Sequence, residues 1–211
     1  MGKLWIAAAA LVVLAACGGQ AGTRPSPSAS PAAGAAPSAA PTALPPPTAL
    51  PTEAPIDRAP GETGVRYSCE AQTGGPAQGG PPSVLRDARV GRHDGEGFDR
   101  FVLEFNAETW RYDIFPRGNT FTRDPSGLPV TLSGSAGLEV VVHNATNHDD
   151  QGRPVEAVLN STPNFPGLEQ AAQLGDFEGV LTWGLGIAGA NHCFRSFVLG
   201  SPSRLVVDVQ R

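Results

Sequence analysis

The sequence is poor in charge, and in lysine above all. It has one lysine, Lys3, against fourteen arginines, and charged residues make up 17% of the chain, where globular chains usually have about 25%. Acidic residues outnumber basic ones by 20 to 15, and the formal net charge is −5. A protein that binds nucleic acid needs a basic face for the phosphates. The charge balance therefore argues against a nucleic-acid partner.

A long hydrophobic run is also missing. The longest stretch without polar side chains, Leu4 to Ala16, has thirteen residues, whereas a membrane-spanning helix needs about 20. Its length fits the apolar part of a secretory signal. The run ends Leu14-Ala15-Ala16-Cys17, which resembles the lipobox of bacterial lipoproteins. We therefore predict a lipoprotein signal peptide over 1–16, a lipid thioether on Cys17 and an extracytoplasmic, membrane-anchored protein. The alternative is an ordinary signal peptide with an incidental cysteine.

Residues 18–63 contain almost no charge and no aromatic side chain. Eleven prolines and twelve alanines stand among these 46 residues. Such a segment cannot bury enough apolar area to offset the entropy lost on ordering. With the lipidated Cys17, we interpret residues 17–63 as a disordered tether with polyproline II character that holds a folded domain away from the lipid surface. A second reading is that the segment is itself a proline-rich ligand.

Cysteines are few, and their number carries information. If Cys17 carries lipid, Cys69 and Cys193 remain, an even number in an exported chain. Outside the cytosol they should form a disulfide, and the chain-entropy model assigns a loop of this length about 5 kcal/mol. The alternative is two free thiols. A catalytic Cys193 is disfavoured, because adjacent residues on a strand point to opposite faces and its histidine neighbour, His192, would point away.

Helix-period segments are nearly absent from residues 64–211, which we take as the folded domain. Short apolar runs separated by turn residues predict an all-β fold, a sandwich or a small barrel. Residues 168–174 fit either a short helix or a strand, and residues 116–127 and 144–154 are predicted loops. The predicted strands cover 84–93, 98–106, 110–115, 130–132, 138–143, 180–187, 193–199 and 204–209.

The run 180–187 alternates cleanly. Leu181, Trp183, Leu185 and Ile187 fall on one face, and the glycines at 184 and 186 fall on the other. Glycine inside a strand often marks a close approach of another part of the chain. We therefore expect some other segment to pack closely against this glycine face.

One short pattern occurs twice. Arg100-Phe-Val-Leu-Glu104-Phe105 matches Arg204-Leu-Val-Val-Asp208-Val209. Because positions i and i+4 of a strand share a face, each copy places an arginine and a carboxylate together. One reading is a solvated face with weak cross-strand ion pairs. The other is a polar binding face, formed by Arg100, Glu104, Arg204 and Asp208.

Signals for a metal site or a catalytic site are weak. The four histidines show no compact ligand spacing, and His148-Asp149-Asp150 lacks the alternate spacing typical of hard-cation loops. We expect neither a metal nor another cofactor. Glu104 and Asp208 could pair as the acid and base of a glycosidase, but each shares its face with an arginine that should keep it ionised. We therefore predict that the protein is not an enzyme.

The aromatic candidates for stacking on sugars are Trp110, Tyr112 and Trp183. Each alternates with other apolar residues along its predicted strand. That pattern favours packing in the core over display at the surface.

Three segments resemble the AMIN-like domain of bacterial lipoproteins: Phe98–Phe105, Phe177–Ile187 and Phe194–Val209. The closing Ser201-Pro-Ser-Arg-Leu-Val-Val-Asp208 also resembles the end of the AMIN domain that precedes cell-wall amidases and occurs in secretin-type proteins. The resemblance covers about residues 83–211. It implies a symmetric, non-catalytic β-sandwich that binds peptidoglycan or directs proteins to the cell envelope. No catalytic domain follows here, so wall binding is an expectation by analogy. The alternative is a protein-interaction module that recruits an envelope partner.

Overall fold

A computed structural model gives the architecture of the domain. It describes residues 66–76, 79–108, 110–155, 160–189 and 193–211. The predicted signal peptide, the lipidation site Cys17 and the tether lie outside the described residues. Within those ranges, no helix is long and apolar enough to span a membrane.

The described residues form strands and turns without a helix. The strands are Gln72–Gly74 (β1), Ser83–His93 (β2), Phe98–Phe105 (β3), Arg111–Arg117 (β4), Thr120–Arg123 (β5), Leu128–Thr131 (β6), Ala136–His143 (β7), Ala145–Thr146 (β8), Asn160–Ser161 (β9), Leu168–Phe177 (β10), Val180–Ile187 (β11), Phe194–Leu199 (β12) and Ser203–Gln210 (β13). Two sheets make the sandwich. One has six strands in the order β1-β4-β7-β11-β10-β9, and the other has five in the order β12-β13-β3-β2-β8. All neighbours pair antiparallel except β2 and β8, and β5 and β6 form a separate hairpin.

The main core lies between the two sheets and draws alternate residues from both. Trp110 and Trp183 are fully buried in it, and Tyr112 is 4% exposed. The prediction that these aromatic residues pack in the core is confirmed. Burial raises the pKa of Tyr112, and the hydrogen bond with Ser196 only partly offsets that effect.

Several strand predictions match closely, and the differences have physical reasons. The strands predicted over 84–93 and 98–106 form as β2 and β3 and pair with each other, and the ambiguous run 168–174 is a strand that continues to Phe177. The predicted loop 116–127 is partly wrong, because it contains the end of β4 and all of β5. Proline has no backbone N–H to donate to a neighbouring strand. Pro116 is tolerated in β4 because β1 pairs only with residues 112–114, so β1 offers no carbonyl oxygen at position 116 that would need this donor.

The glycine face of β11 receives the β5–β6 hairpin, as the close-approach prediction required. A Cβ on Gly184 would lie 2.9 Å from the Cδ1 atom of Leu132, and one on Gly186 would collide with the carbonyl oxygen of Ser133. On β7, a Cβ on Gly137 would lie 2.5 Å from the Cζ atom of Phe121. The hairpin thereby encloses a second apolar cluster, which consists of Phe121, Val130, Leu132, Ala172 and Leu174.

One open side of the sandwich is joined by polar contacts and the disulfide. Cys69 and Cys193 are bonded, as predicted, and the neighbouring Ser68 exchanges two backbone hydrogen bonds with Phe194. The Gln72 side chain, on β1 of the six-stranded sheet, donates to the Phe194 carbonyl oxygen at 2.9 Å and accepts from the Ser196 amide at 3.1 Å. Gln72 thus occupies part of the exposed edge of β12, which would otherwise present unpaired backbone groups.

Candidate binding face

The two copies of the repeated pattern pair with each other. They lie on β3 and β13, which are antiparallel neighbours, so that Arg100 is opposite Asp208 and Glu104 is opposite Arg204. Each arginine therefore faces the acid of the other copy. The structure brings all four predicted residues together on the outer face of the five-stranded sheet. We call this surface the arginine face; its side chains are Asp87, Arg89, Phe98, Arg100, Val102, Glu104, Arg195, Phe197, Leu199, Arg204, Val206 and Asp208.

Arg100 and Asp208 form the buried half of the arginine face. The Nε atom of Arg100 donates to Asp208 Oδ1 at 2.6 Å, and its Nη2 atom donates to Oδ2 at 2.9 Å. Arg195 Nε donates to the same Oδ2 at 2.8 Å. Side-chain exposure is 1% for Arg100 and 0% for Asp208. The expectation of a solvated face is therefore wrong for this pair, since both groups are withdrawn from water and a bidentate pair fixes their geometry.

Aromatic rings enclose the two guanidinium groups of this half. The Arg100 guanidinium carbon lies 5.1 Å from the centre of the Phe98 ring and 5.4 Å from that of Phe197. For Arg195 the distances are 5.1 Å to Phe98, 5.7 Å to Phe197 and 5.2 Å to Tyr67. Cation–π contacts of this kind are strongest where water is excluded. The rings therefore favour the charged arginines in a place where burial alone would oppose them.

The other half of the arginine face remains open to solvent. Arg89 Nη1 donates to Asp87 at 2.9 Å and to Glu104 at 3.1 Å. The side chains of Asp87 and Glu104 are 37% and 26% exposed. Burial lowers the pKa of Arg89, but the hydrogen bonds and charges of these two acids outweigh it and raise the pKa overall. Arg204, which is half-buried, donates to the Pro202 carbonyl oxygen at 3.3 Å. This half combines two partly exposed carboxylates with the half-buried Arg204 and with Arg89, whose side chain is 13% exposed.

An apolar row of Val102, Val206 and Phe197 lies between the two halves, and Leu199 lies next to it, opposite Arg204. Val102 and Val206 are fully buried, Phe197 is 5% exposed and Leu199 is 4% exposed. These four side chains lie on the outer face, on the side away from the main core. The arginine face is thus a layered surface with one buried charged half, an apolar row and one accessible charged half.

The histidine loop that could have offered metal ligands is held by protein contacts. His148 Nδ1 lies 2.8 Å from Asp176 Oδ2, and Asp149 accepts from the Arg153 side chain at 2.8 Å and from the backbone amide of Gln151 at 2.9 Å. Within the described ranges, no cluster of three or more histidine, cysteine, aspartate or glutamate side chains is arranged to hold a metal ion. His148 and Asp149 therefore make their contacts with other groups of the protein.

The glycosidase pairing also fails on geometry. Asp208 is fully buried and accepts from both Arg100 and Arg195, so it cannot reach a substrate. Trp110 has no access to a sugar either, because its Nε1 atom donates to the Ala107 carbonyl oxygen at 3.0 Å inside the core.

Sequence reasoning missed several members of the arginine face. Arg195 and Phe197 alternate on the strand after Cys193, and Arg89 lies on the strand paired with β3. The alternation of Arg195 with Phe197 could have placed both side chains on this face. No pattern in the sequence could have predicted the contact between Arg195 and Tyr67, because 128 positions separate the two residues.

Comparisons with known proteins give one match. The family model of the AMIN-like domain matches residues 83–211, which is well over half of the chain. The match begins at the first residue of β2 and includes both copies of the repeated pattern. Neither the curated proteins nor the solved structures give a match.

Proposed function

The chain belongs to the AMIN-like domain family, a family of envelope-associated binding domains that are generally non-catalytic, and we propose that it is a lipid-anchored lipoprotein that binds peptidoglycan. The anchor would be the Cys17 thioether, and residues 17–63 would carry the domain away from the membrane. The accessible half of the arginine face would make the contact. Arg100 and Asp208 would serve as its fixed base, because each is buried against the other.

One observation carries the choice of this surface. The repeated pattern folds onto itself, so that the accessible Glu104 and Arg204 lie opposite each other on adjacent strands. Peptidoglycan offers carboxylates from its peptides and hydroxyl groups from its sugars. A guanidinium group binds a carboxylate with two parallel hydrogen bonds, and a carboxylate such as Glu104 accepts from hydroxyl and amino groups.

Charge also limits how the domain can bind a wall. Residues 60–211 contain twelve arginines and eighteen acids. A domain with an acidic surplus does not adhere unspecifically to anionic wall polymers. Binding therefore has to depend on specific contacts, and it should persist at moderate salt.

Co-sedimentation with purified peptidoglycan sacculi tests the proposal. We expect the full chain in detergent to pellet with sacculi, and the variant Glu104→Gln/Arg204→Ala to remain in the supernatant. The variant Arg111→Ala is the matched control, because Arg111 is a half-exposed arginine of the other sheet; it should still pellet. Wild-type protein that stays in the supernatant at moderate salt would contradict peptidoglycan binding.

The anchor has its own test. Cys17→Ser should move the protein from the membrane fraction to the soluble fraction, and mass spectrometry should find a lipid on Cys17 of the wild type. An unmodified cysteine in membrane-derived protein would exclude the lipoprotein part of the proposal and leave the wall-binding part intact.

Recruitment of an envelope protein is the second candidate function, and one observation favours it. Phe177, at the tip of the β10–β11 hairpin, is 51% exposed, the one large hydrophobic side chain of the described residues with this status. A photo-cross-linking residue at position 177 should then capture a protein in intact cells, whereas the same residue at exposed Asn164 should not. Capture that also requires Glu104 and Arg204 would favour one binding surface over two.

A further inference from the structure

A buried arginine nitrogen on the β5–β6 hairpin lacks a hydrogen-bond partner among the described residues. It is the Nε atom of Arg123, the last residue of β5. No carboxylate of the described residues forms an ion pair with this guanidinium group, whereas the buried Arg100 is paired with Asp208. A buried N–H donor without an acceptor costs free energy in the folded state. An acceptor from outside the chain would remove this cost.

The hairpin directs the Arg123 side chain toward the six-stranded sheet. Phe121 and Arg123 lie two positions apart on β5 and therefore point to the same side of the strand. The ring of Phe121 reaches Gly137 on β7, so this side of β5 faces the sheet. The guanidinium group of Arg123 consequently extends over the outer face of the six-stranded sheet.

Thr182 is the first position of β11 beyond the glycine face that presents a side chain on this side. It is 5% exposed, and its hydroxyl group makes no hydrogen bond to another described residue. Asp124, the neighbour of Arg123 in the chain, packs on Gly175, and Gly175 is the cross-strand partner of Thr182. The hairpin therefore brings the unpartnered guanidinium group and the unpartnered hydroxyl group to the same margin of the sheet.

The chemistry of these donors selects the ligand. The Nε–H group and one Nη–H group of an arginine are parallel and match the two oxygens of a carboxylate, and a threonine hydroxyl can donate to the same group. Asp124 follows Arg123 directly, and residues 60–211 contain more acids than arginines. Acidic neighbours repel a doubly charged anion such as phosphate more strongly than a singly charged carboxylate. A carboxylate therefore suits this position better than phosphate.

We propose that Arg123 and Thr182 bind a carboxylate at the margin of the β5–β6 hairpin, with the Nε–H group of Arg123 as the central donor. The site begins where the row of glycines on β11 ends. It lies on the six-stranded sheet and not on the arginine face, so it does not depend on the proposed contact with peptidoglycan. The carboxylate can belong to a small acid or to the end of a peptide, since both present the same two oxygens.

Titration of the isotope-labelled full chain in detergent with acetate, followed by nuclear magnetic resonance, tests the site. The Nε–H signal of Arg123 and the backbone N–H signal of Thr182 should shift in a saturable manner. The ionic strength is held constant with sodium chloride, and the dissociation constant should be millimolar because the ligand is small. Inorganic phosphate should bind more weakly. Signals that do not shift with acetate, or a higher affinity for phosphate than for acetate, would overturn the proposal.

Three variants separate the site from a general attraction of anions to cations. Arg123→Lys keeps the charge but loses the paired donors, and it should abolish the saturable shift at Thr182. Arg86→Lys, at an exposed arginine of the other sheet, is the matched control and should leave the shift unchanged. Thr182→Val should raise the dissociation constant about 3- to 10-fold through the loss of one hydrogen bond. Equal affinities of the wild type and Arg123→Lys would contradict recognition by the guanidinium group, and the wild-type titration remains decisive if a variant unfolds.

N-acetylalanine and its amide identify the source of the carboxylate. The acid carries the carboxylate of a peptide end, and the amide has the same shape without the charge. Tighter binding of the acid than of acetate would assign the site to a peptide end, and equal binding would assign it to small carboxylates in general. An amide that binds as tightly as the acid would contradict the proposal.

Discussion

Each outer face of the sandwich has one part that is withdrawn from water, and the chemistry of that part differs between the two faces. The six-stranded sheet removes its side chains at Gly137, Gly184 and Gly186 and lets a hairpin pack directly on the backbone. The five-stranded sheet keeps long side chains and buries a charged pair, Arg100 and Asp208, among aromatic rings. Packing on the first face depends on the absence of side-chain atoms at these three glycines. Packing on the second face depends on the pairing of its buried charges.

This difference indicates which parts of the two faces can bind a ligand. A surface closed by direct backbone contact leaves no functional group for a ligand. A surface built from arginines and carboxylates has a rigid base and, at Glu104 and Arg204, an accessible edge. Substitutions can disrupt each arrangement, and the expected loss of stability falls from the disulfide to the charged pair, then to the glycine face and then to Asp113. Urea unfolding followed by the fluorescence of the buried Trp110 and Trp183 measures each.

Removal of the disulfide should have the largest effect, because it acts on the edge that joins the two sheets. Cys69→Ser/Cys193→Ser opens a loop with a sequence separation of 124 residues. The chain-entropy model gives a loss of about 5 kcal/mol in the free energy of unfolding. Cys17→Ser is the matched control and should leave the free energy unchanged. A loss below about 1 kcal/mol would show that Ser68 and Gln72 hold this edge without the disulfide.

Asp208→Ala should break the charged face. It leaves the buried Arg100 without its carboxylate, and such a change costs about 3–5 kcal/mol. The double variant Arg100→Met/Asp208→Leu should recover part of that loss, because hydrophobic residues often replace a buried pair at little cost, whereas Arg195 loses its contact with Asp208 in both variants. Asp94→Ala, which removes a solvent-exposed partner of Arg92 and Arg211, is the control and should change the stability little. A double variant as unstable as Asp208→Ala would point to steric packing and not to charge.

Gly186→Ala should break the glycine face. The added Cβ would collide with the Ser133 carbonyl oxygen, and the hairpin would have to shift, at a cost of about 1–3 kcal/mol. Gly118→Ala is the control, since nothing lies within 4 Å of its added Cβ. If both variants are equally stable, the hairpin adapts and the close approach has no energetic role.

The smallest effect should come from the uncovered part of the six-stranded sheet. Burial raises the pKa of Asp113, but hydrogen bonds from Thr73 and His143 and the charge of Arg111 outweigh it, and the pKa falls below 3.8. Because the pKa of Asp113 is lower in the folded state than in the unfolded state, its ionised carboxylate stabilises the protein above about pH 4. This contribution is lost as the pH falls through the pKa of the folded state. Asp113→Asn should therefore unfold at lower urea than wild type at pH 7. The difference should shrink as the pH falls below about 4; a constant difference would contradict the charge mechanism.

Local pattern was enough for most of the fold. The alternation in residues 180–187 predicts the strand limits that the structure shows, and it also predicts the close approach at Gly184 and Gly186. Short elements were beyond reach: β1, β8 and β9 have two or three residues, and a period of two cannot be recognised over so few positions. Of the β5–β6 hairpin, the strand predicted over 130–132 found most of β6, whereas the four residues of β5 were placed in a loop for the same reason.

The candidate site was only half predictable. The repeated pattern placed Arg100, Glu104, Arg204 and Asp208 on a common face, because side chains four positions apart on a strand share a side. It could not say which would be buried. That outcome depends on Phe98, Phe197 and Arg195, which come from different strands and surround one pair and not the other.

The sequence by itself determined the all-β class and the identity of the core aromatics, because these follow from periodicity. It predicted the pairing of Cys69 with Cys193 only together with the further prediction that Cys17 carries a lipid. The tertiary structure alone decided that the repeated strands are antiparallel neighbours and that Arg100 and Asp208 form a buried pair. Strand order is set by contacts between residues more than a hundred positions apart, such as Arg100 with Asp208. No local pattern encodes such contacts, since they arise only when two sheets close around one core.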